Sequence, residues 1–265
     1  MKQMSCLLLL LLSACPAPKP QAEASPRALL PTSRSEPAQK EDAPPDNEED
    51  AEREKLHQVD SAEIWGETLP SDVGVLVVDE EGRVERDNRL LTLSNPDDRK
   101  SLSLKKAWML APRGEVYMAL LSPVLAVLDD LGASVWLRHA EAQVAFEVSL
   151  KDEPAFQKWL ADVVPGRVRL IQRADGLELS TVFGKVVGSD ANGPSVPNRG
   201  GQIDLANARQ GLLKLRQRFA AADEVGFVPS SATELQDVAH AMSANYRGMG
   251  KALFPKMFLV YRRVR

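Results

Sequence analysis

Cysteine is almost missing from this chain of 265 residues: there are two, Cys6 and Cys15, both near the start. Past residue 15 no thiol remains to form a disulfide or hold a metal, so folding there must rest on an apolar core. Histidine is nearly as scarce. His57, His139 and His240 are the three, and none stands in H-x-x-x-H or H-E-x-x-H spacing, which argues against zinc. Aromatic residues make up 5%, too few for a Trp- and Tyr-rich sugar platform. A net charge of -4 and a pI near 5.6 exclude the strongly basic profile of a nucleic-acid binder. Long apolar runs are missing too, since the run Cys6–Leu12 falls short of the ~20 residues that cross a bilayer.

Catalytic motifs are equally sparse. No serine sits in G-x-S-x-G. GMGKA, from Gly248 to Ala252, has the end of a phosphate loop but carries Ala252 for Ser/Thr and Asn245 for the first Gly. The adjacent Asp129 and Asp130 point about 100° apart on a helix and read as a solvated helix end. His139 and His240 read as ordinary surface or boundary residues. The expectation is a non-enzymatic protein without cofactor or metal.

The N-terminus, in contrast, is rich in signal. Lys2 supplies a positive start, Cys6–Leu12 an apolar stretch, and L-S-A-C from Leu12 to Cys15 a small-residue cleavage site. L-S-A-C resembles the lipobox of bacterial lipoproteins. That resemblance implies a signal peptide over residues 1–14 and lipid on Cys15. It also implies a membrane-anchored envelope location, with the folded part outside the cytoplasm and on the periplasmic side. Residues 15–62 then read as a disordered tether: Pro, Ala, Ser and Glu dominate, and EDAPPDNEED holds six acids and no base. Such a segment buries too little apolar surface to offset its ordering entropy and extends by self-repulsion.

From Val73 the texture is that of a folded α+β chain. VGVLVV, the turn DEEG and RVERD predict a hairpin. Residues 95–106 read as a loop and Glu115–Leu121 as a strand. Ser122-Pro123 then reads as a helix start, with Gly132 as its stop. Ser134–Ala140 and AQVAFEVSL follow as strands, and Asp152 caps a helix through Val163. In the second half RVRLIQ and LELSTVF form a hairpin, and residues 184–201 form a loop. Asp204 caps a helix with Leu205, Ala208, Leu212, Leu215 and Phe219 on one stripe. VGFVP is a strand, Ser231-x-x-Glu234 a capping box, and MFLVYRRV a final strand, apolar on both faces and therefore either central or an edge covered by a partner, with the central place expected. The expected architecture is two α/β sandwich units in tandem, 63–150 and 151–265, each a mixed sheet with helices on one face.

The order strand, strand, helix, strand, helix, strand is carried by RADGLEL, DLANARQGLLKLRQRF, EVGFVPSSATELQDV with Val238 and Met242, and FPKMFLVYRR. With these residues, 165–263 resemble the periplasmic domain of the ExbD/TolR biopolymer-transport family. Residues 73–150 look like a diverged copy. The resemblance implies association with envelope proteins or cell-wall polymer, and pairing of two copies through sheet edges. ExbD and TolR proteins begin with a transmembrane helix bearing a proton-carrying Asp; the apolar leader here contains none, so a proton-driven role is not implied.

One basic group is the candidate docking surface for an acidic partner: Arg209, Lys214, Arg216 and Arg218, with Arg262 and Arg263 near the end. The leading expectation is a lipid-anchored envelope binding or accessory protein. The alternatives are an envelope hydrolase or wall-modifying enzyme with an unrecognised site, and a structural subunit of an envelope complex.

Overall fold

The computed structural model describes residues 63–162 and 164–263. In chain order, the first half has strands β1 (Glu67–Thr68), β2 (Gly74–Asp79), β3 (Val84–Arg86) and β4 (Arg89–Leu91). Helix α1 (Pro96–Leu102), strand β5 (Ala107–Arg113), helix α2 (Met118–Asp130), strand β6 (Ser134–His139) and strand β7 (Val144–Asp152) follow. The second half has α3 (Glu153–Ala161), β8 (Val168–Arg173), β9 (Gly176–Thr181), β10 (Gly184–Lys185), β11 (Val196–Arg199) and β12 (Gln202–Ile203). It ends with α4 (Leu205–Arg218), β13 (Glu224–Val228), α5 (Leu235–Met242), a 3-10 turn at Ser243–Asn245, and β14 (Lys256–Tyr261). The α+β class is as the sequence implies.

All the strands join one sheet, ordered β12-β11-β9-β8-β13-β14-β7-β6-β5-β2-β3-β4, with β1 on β7 and β10 on β9. β7 is shared between two blocks. Its first five residues pair antiparallel with β6, while Ser149–Asp152 pair in parallel with β14. The boundary expected at 150/151 falls inside this strand. Residues of both halves, from Leu76 to Tyr261, meet in one buried cluster. The tandem picture with separate sheets is replaced by one body: β7 is long enough to serve both blocks.

β14 is central, between β13 and β7, both parallel to it. Parallel strands are covered on both faces, and Met257–Tyr261 are all buried. Side chains alternate across the sheet: Met257, Leu259 and Tyr261 enter the main core, while Phe258 and Val260 pack under Phe156, Trp159 and Leu160 of α3. Helices therefore cover both faces here, not one.

Several local expectations shift. The strand is β5, not residues 115–121, and α2 begins at Met118, so Pro123 lies inside it. The reason is tertiary: the Met118 and Ala119 N–H groups donate to the Thr233 and Ser231 carbonyls, at 2.9 and 3.1 Å. These bonds satisfy the first orphan donors without a side-chain cap. The capping box at Ser231 and Glu234 does not form, because Leu235 N–H donates to Val116 O, at 2.7 Å. Residues 95–106 contain α1, capped by Asn95 with Pro96 at its first turn. The loop 184–201 contributes β10 and β11 to the sheet.

Candidate binding cleft

Open parallel sheets present ligand crevices at the carboxyl ends of their strands. At the ends of β7, β13 and β14 lies a cleft of about 1080 Å³. Met118 and Ala119 of α2, Phe156 of α3, Val228, Pro229 and Val260 give it apolar walls, and Gln157, Ser230, Ser231 and Arg262 a polar rim.

A carboxylate clamp fixes one wall. Arg263 donates to Asp130 Oδ1 at 2.9 Å and to Asp129 Oδ2 at 3.3 Å, and approaches Asp152 Oδ2 at 3.5 Å. Tyr261 Oη donates to Asp129 Oδ2 at 2.7 Å. Burial first, then this bond, pushes the Tyr261 phenol above its usual range. The bonds to Tyr261 and Asp130 hold Arg263 above its ordinary value. Ser122 Oγ donates to the Arg262 carbonyl, tying α2 to the end of β14. Asp129 and Asp130 thus end α2, half-buried and exposed respectively, and both are ion-paired to Arg263 across the fold. With three acids gathered on Arg263, the neighbouring Arg262 side chain extends to the rim, exposed and without an ion pair among the described residues.

A second cleft of about 670 Å³ opens beside the end of β6 and the first turns of α4 and α5. There His139 and His240 stand with ring centroids 5.9 Å apart. His139 is buried and accepts at Nδ1 from the Ala142 N–H at 3.2 Å. Gln236 reaches the same ring at 3.0 and 3.1 Å and accepts from Ala140 N–H. Burial lowers both imidazole pKa values, and His240 lowers that of His139 further. His139 is therefore a core residue in a polar pocket rather than a surface one. The two histidines lie far apart in sequence, and no spacing motif connects them.

The six candidate cations do not form one surface. Arg209 is buried, its guanidinium 4.2 Å from the Trp65 ring centroid and donating to Glu63 O at 3.2 Å. Arg216 closes the end of α4, donating to the Ala220 carbonyl at 2.6 Å and to that of Ala222. Lys214 and Arg218 are exposed on the same helix. Arg262 and Arg263 lie at the other end of β14. The cause is topological: α4 leads into the start of β13, which is level with the start of β14. The last residues leave the far end of a strand that spans ~20 Å. Cys15 lies outside the described residues. Comparison with family models, with curated proteins and with solved structures returns no match.

Proposed function

We propose that this chain is a lipid-anchored cell-envelope binding protein, held by lipid on Cys15, whose folded body takes a segment of an envelope partner into the cleft at the ends of β7, β13 and β14. The observation that carries the reading is the cleft itself: apolar walls, a wall fixed by the Arg263 clamp, and Arg262 exposed on the rim. Apolar walls with a few placed polar groups are the general character of a binding pocket. The likeness to an ExbD/TolR periplasmic domain rests on the order β8, β9, α4, β13, α5, β14, from which β10, β11 and β12 before α4 depart, and on this reading the body binds without driving transport.

A photo-crosslinking residue at the exposed Gln157, on the cleft, and another at the exposed Lys214, remote from it, test this in intact cells. The reading predicts a discrete adduct from position 157 that fades when Arg262→Glu is added, and none of that mass from position 214. The same adduct from both positions, or none from 157, contradicts it.

A second reading has its own observation. Two neutral imidazoles and a side-chain amide share the smaller cleft, an arrangement able to take and return a proton. On that reading His139→Gln and His240→Gln leave the fold intact and abolish a hydrolytic activity on envelope polymers.

A further inference from the structure

The end of the body opposite the cleft carries a different surface. At the turn between β9 and β10, Phe183 is 71% exposed. Its ring stacks on Phe219, just past α4, at 6.3 Å and 15°. Val187 and Val164 are 67% and 48% exposed. The backbone at Gly166 packs so closely on Phe219 that an added Cβ would lie 3.0 Å from the Phe219 Cβ, which fixes the aromatic platform from below.

Cations gather around this apolar tip. The Arg218 guanidinium lies 5.7 Å from the Phe219 ring centroid. Lys214 is exposed one turn earlier on α4, and Arg216 sits at its end. Lys185, beside the Phe183 turn, donates to the Ala191 and Gly193 carbonyls. None of these four cations has a carboxylate within 4.0 Å among the described residues. The acids of this end are largely engaged: Asp162 by Arg167 at 3.2 Å and Asp223 by Lys256 at 2.7 Å, with Arg216 also acting on Asp223. Asp190 is the exposed acid of the 187–193 loop and accepts from Asn192 N–H.

Scattered apolar residues on a surface are ordinary. A protruding aromatic tip seated on a second ring and flanked by Lys and Arg that hold no carboxylate within 4.0 Å among the described residues is the pattern of interfacial membrane binding: the ring enters the headgroup region while the cations meet anionic lipid. We infer that this face, Phe183 with Phe219, Lys185, Lys214, Arg216 and Arg218, docks the folded body on an anionic bilayer surface. The cleft lies at the other end of β13 and β14 and is turned away from the lipid, toward a partner. A lipid on Cys15 would bring the face to a membrane; the docking itself rests on these side chains.

Sedimentation with vesicles tests it, using the chain from Pro16 onward, which contains the whole described body and no acylation site. Vesicles of phosphatidylcholine alone are compared with vesicles that also contain phosphatidylglycerol. The inference predicts binding to the second kind only, reversed by high salt. Arg218→Ala and Lys214→Ala weaken it about fivefold each. Phe183→Ser weakens it about tenfold with an unchanged circular dichroism spectrum. Gln157→Ser, on the cleft, leaves it unchanged. Absence of binding, equal binding to neutral vesicles, or full binding by Phe183→Ser overturns the inference. The assay reads this face alone and the position-157 crosslink reads the cleft alone, so failure of one is separable from failure of the other.

Discussion

Leu259 of β14 lies opposite Leu150 of β7, and this parallel pairing joins the two halves of the chain into one sheet. Leu259 is fully buried in the core that both halves share. Leu259→Ala is expected to cost ~2–5 kcal/mol. Leu259→Asp, which buries an unpaired charge, is expected to abolish folding of both halves together. Urea unfolding followed by tryptophan emission and by far-ultraviolet dichroism checks this. Coincident single transitions agree with one body; a first half that survives Leu259→Asp does not.

Asn245 and Phe254 form a buried link within the second half. The Asn245 side chain accepts from Phe254 N–H at 3.0 Å and donates to Phe254 O at 2.8 Å, where both residues are fully buried. Asn245→Ala leaves two buried backbone groups unpaired, at roughly 1–3 kcal/mol each. The expected result is a lower urea midpoint with an unchanged slope. A midpoint like that of the wild type contradicts the assignment.

His139 and His240 make stability depend on pH. Burial holds both folded-state pKa values below the ordinary 6.5. A depressed value means that the unfolded chain binds protons more readily. The stability they contribute is complete above 6.5 and is lost as pH falls through 6.5 toward the folded values. Glu141 lies close to both rings, Asp237 near His240, and each opposes the shift. The urea midpoint should fall between pH 7.5 and pH 5, and His139→Gln should reduce that fall. An equal fall in the variant removes His139 from the account.

The entry to the body is expected to resist protease. Trp65 N–H donates to Ser243 Oγ at 2.8 Å, Gly250 N–H to Gly66 O at 2.9 Å, and β1 pairs with β7. Arg209 lies over Trp65. Limited proteolysis should yield a stable fragment that begins close to Glu63. A fragment beginning at Val73 would show that this strap does not hold, and one beginning near Pro20 would show that the tether is ordered.

Much of this fold is legible in the sequence where the signal is local. MFLVYRR reads as a central strand because an unbroken apolar run needs cover on both faces. Asp152 and Asp204 read as caps, and both side chains accept from the expected N–H groups, of Ala155 and Asn207. Illegible parts depend on distant partners. The start of α2 is set by the Ser231 and Thr233 carbonyls, more than a hundred residues away. β5 carries Pro112, a residue that argues against a central strand; β5 pairs with β2 through that proline but with β6 only over Ala107–Leu110, short of it. Of the candidate site residues, the basic group on α4 reads as one surface with the last arginines in sequence. The fold sends Arg209 inward and places Arg262 and Arg263 at the far end of β14. The two histidines of the smaller cleft have no common motif and meet only through α5 packing on β6.

Intact-mass analysis of the mature chain from membranes tests the proposed lipid tether. The expected species is a chain beginning at Cys15 that carries diacylglycerol and fatty acid, with labelled palmitate incorporated by the wild type and not by Cys15→Ser. A mature chain that begins elsewhere, or a Cys15→Ser variant that still takes up palmitate, contradicts it.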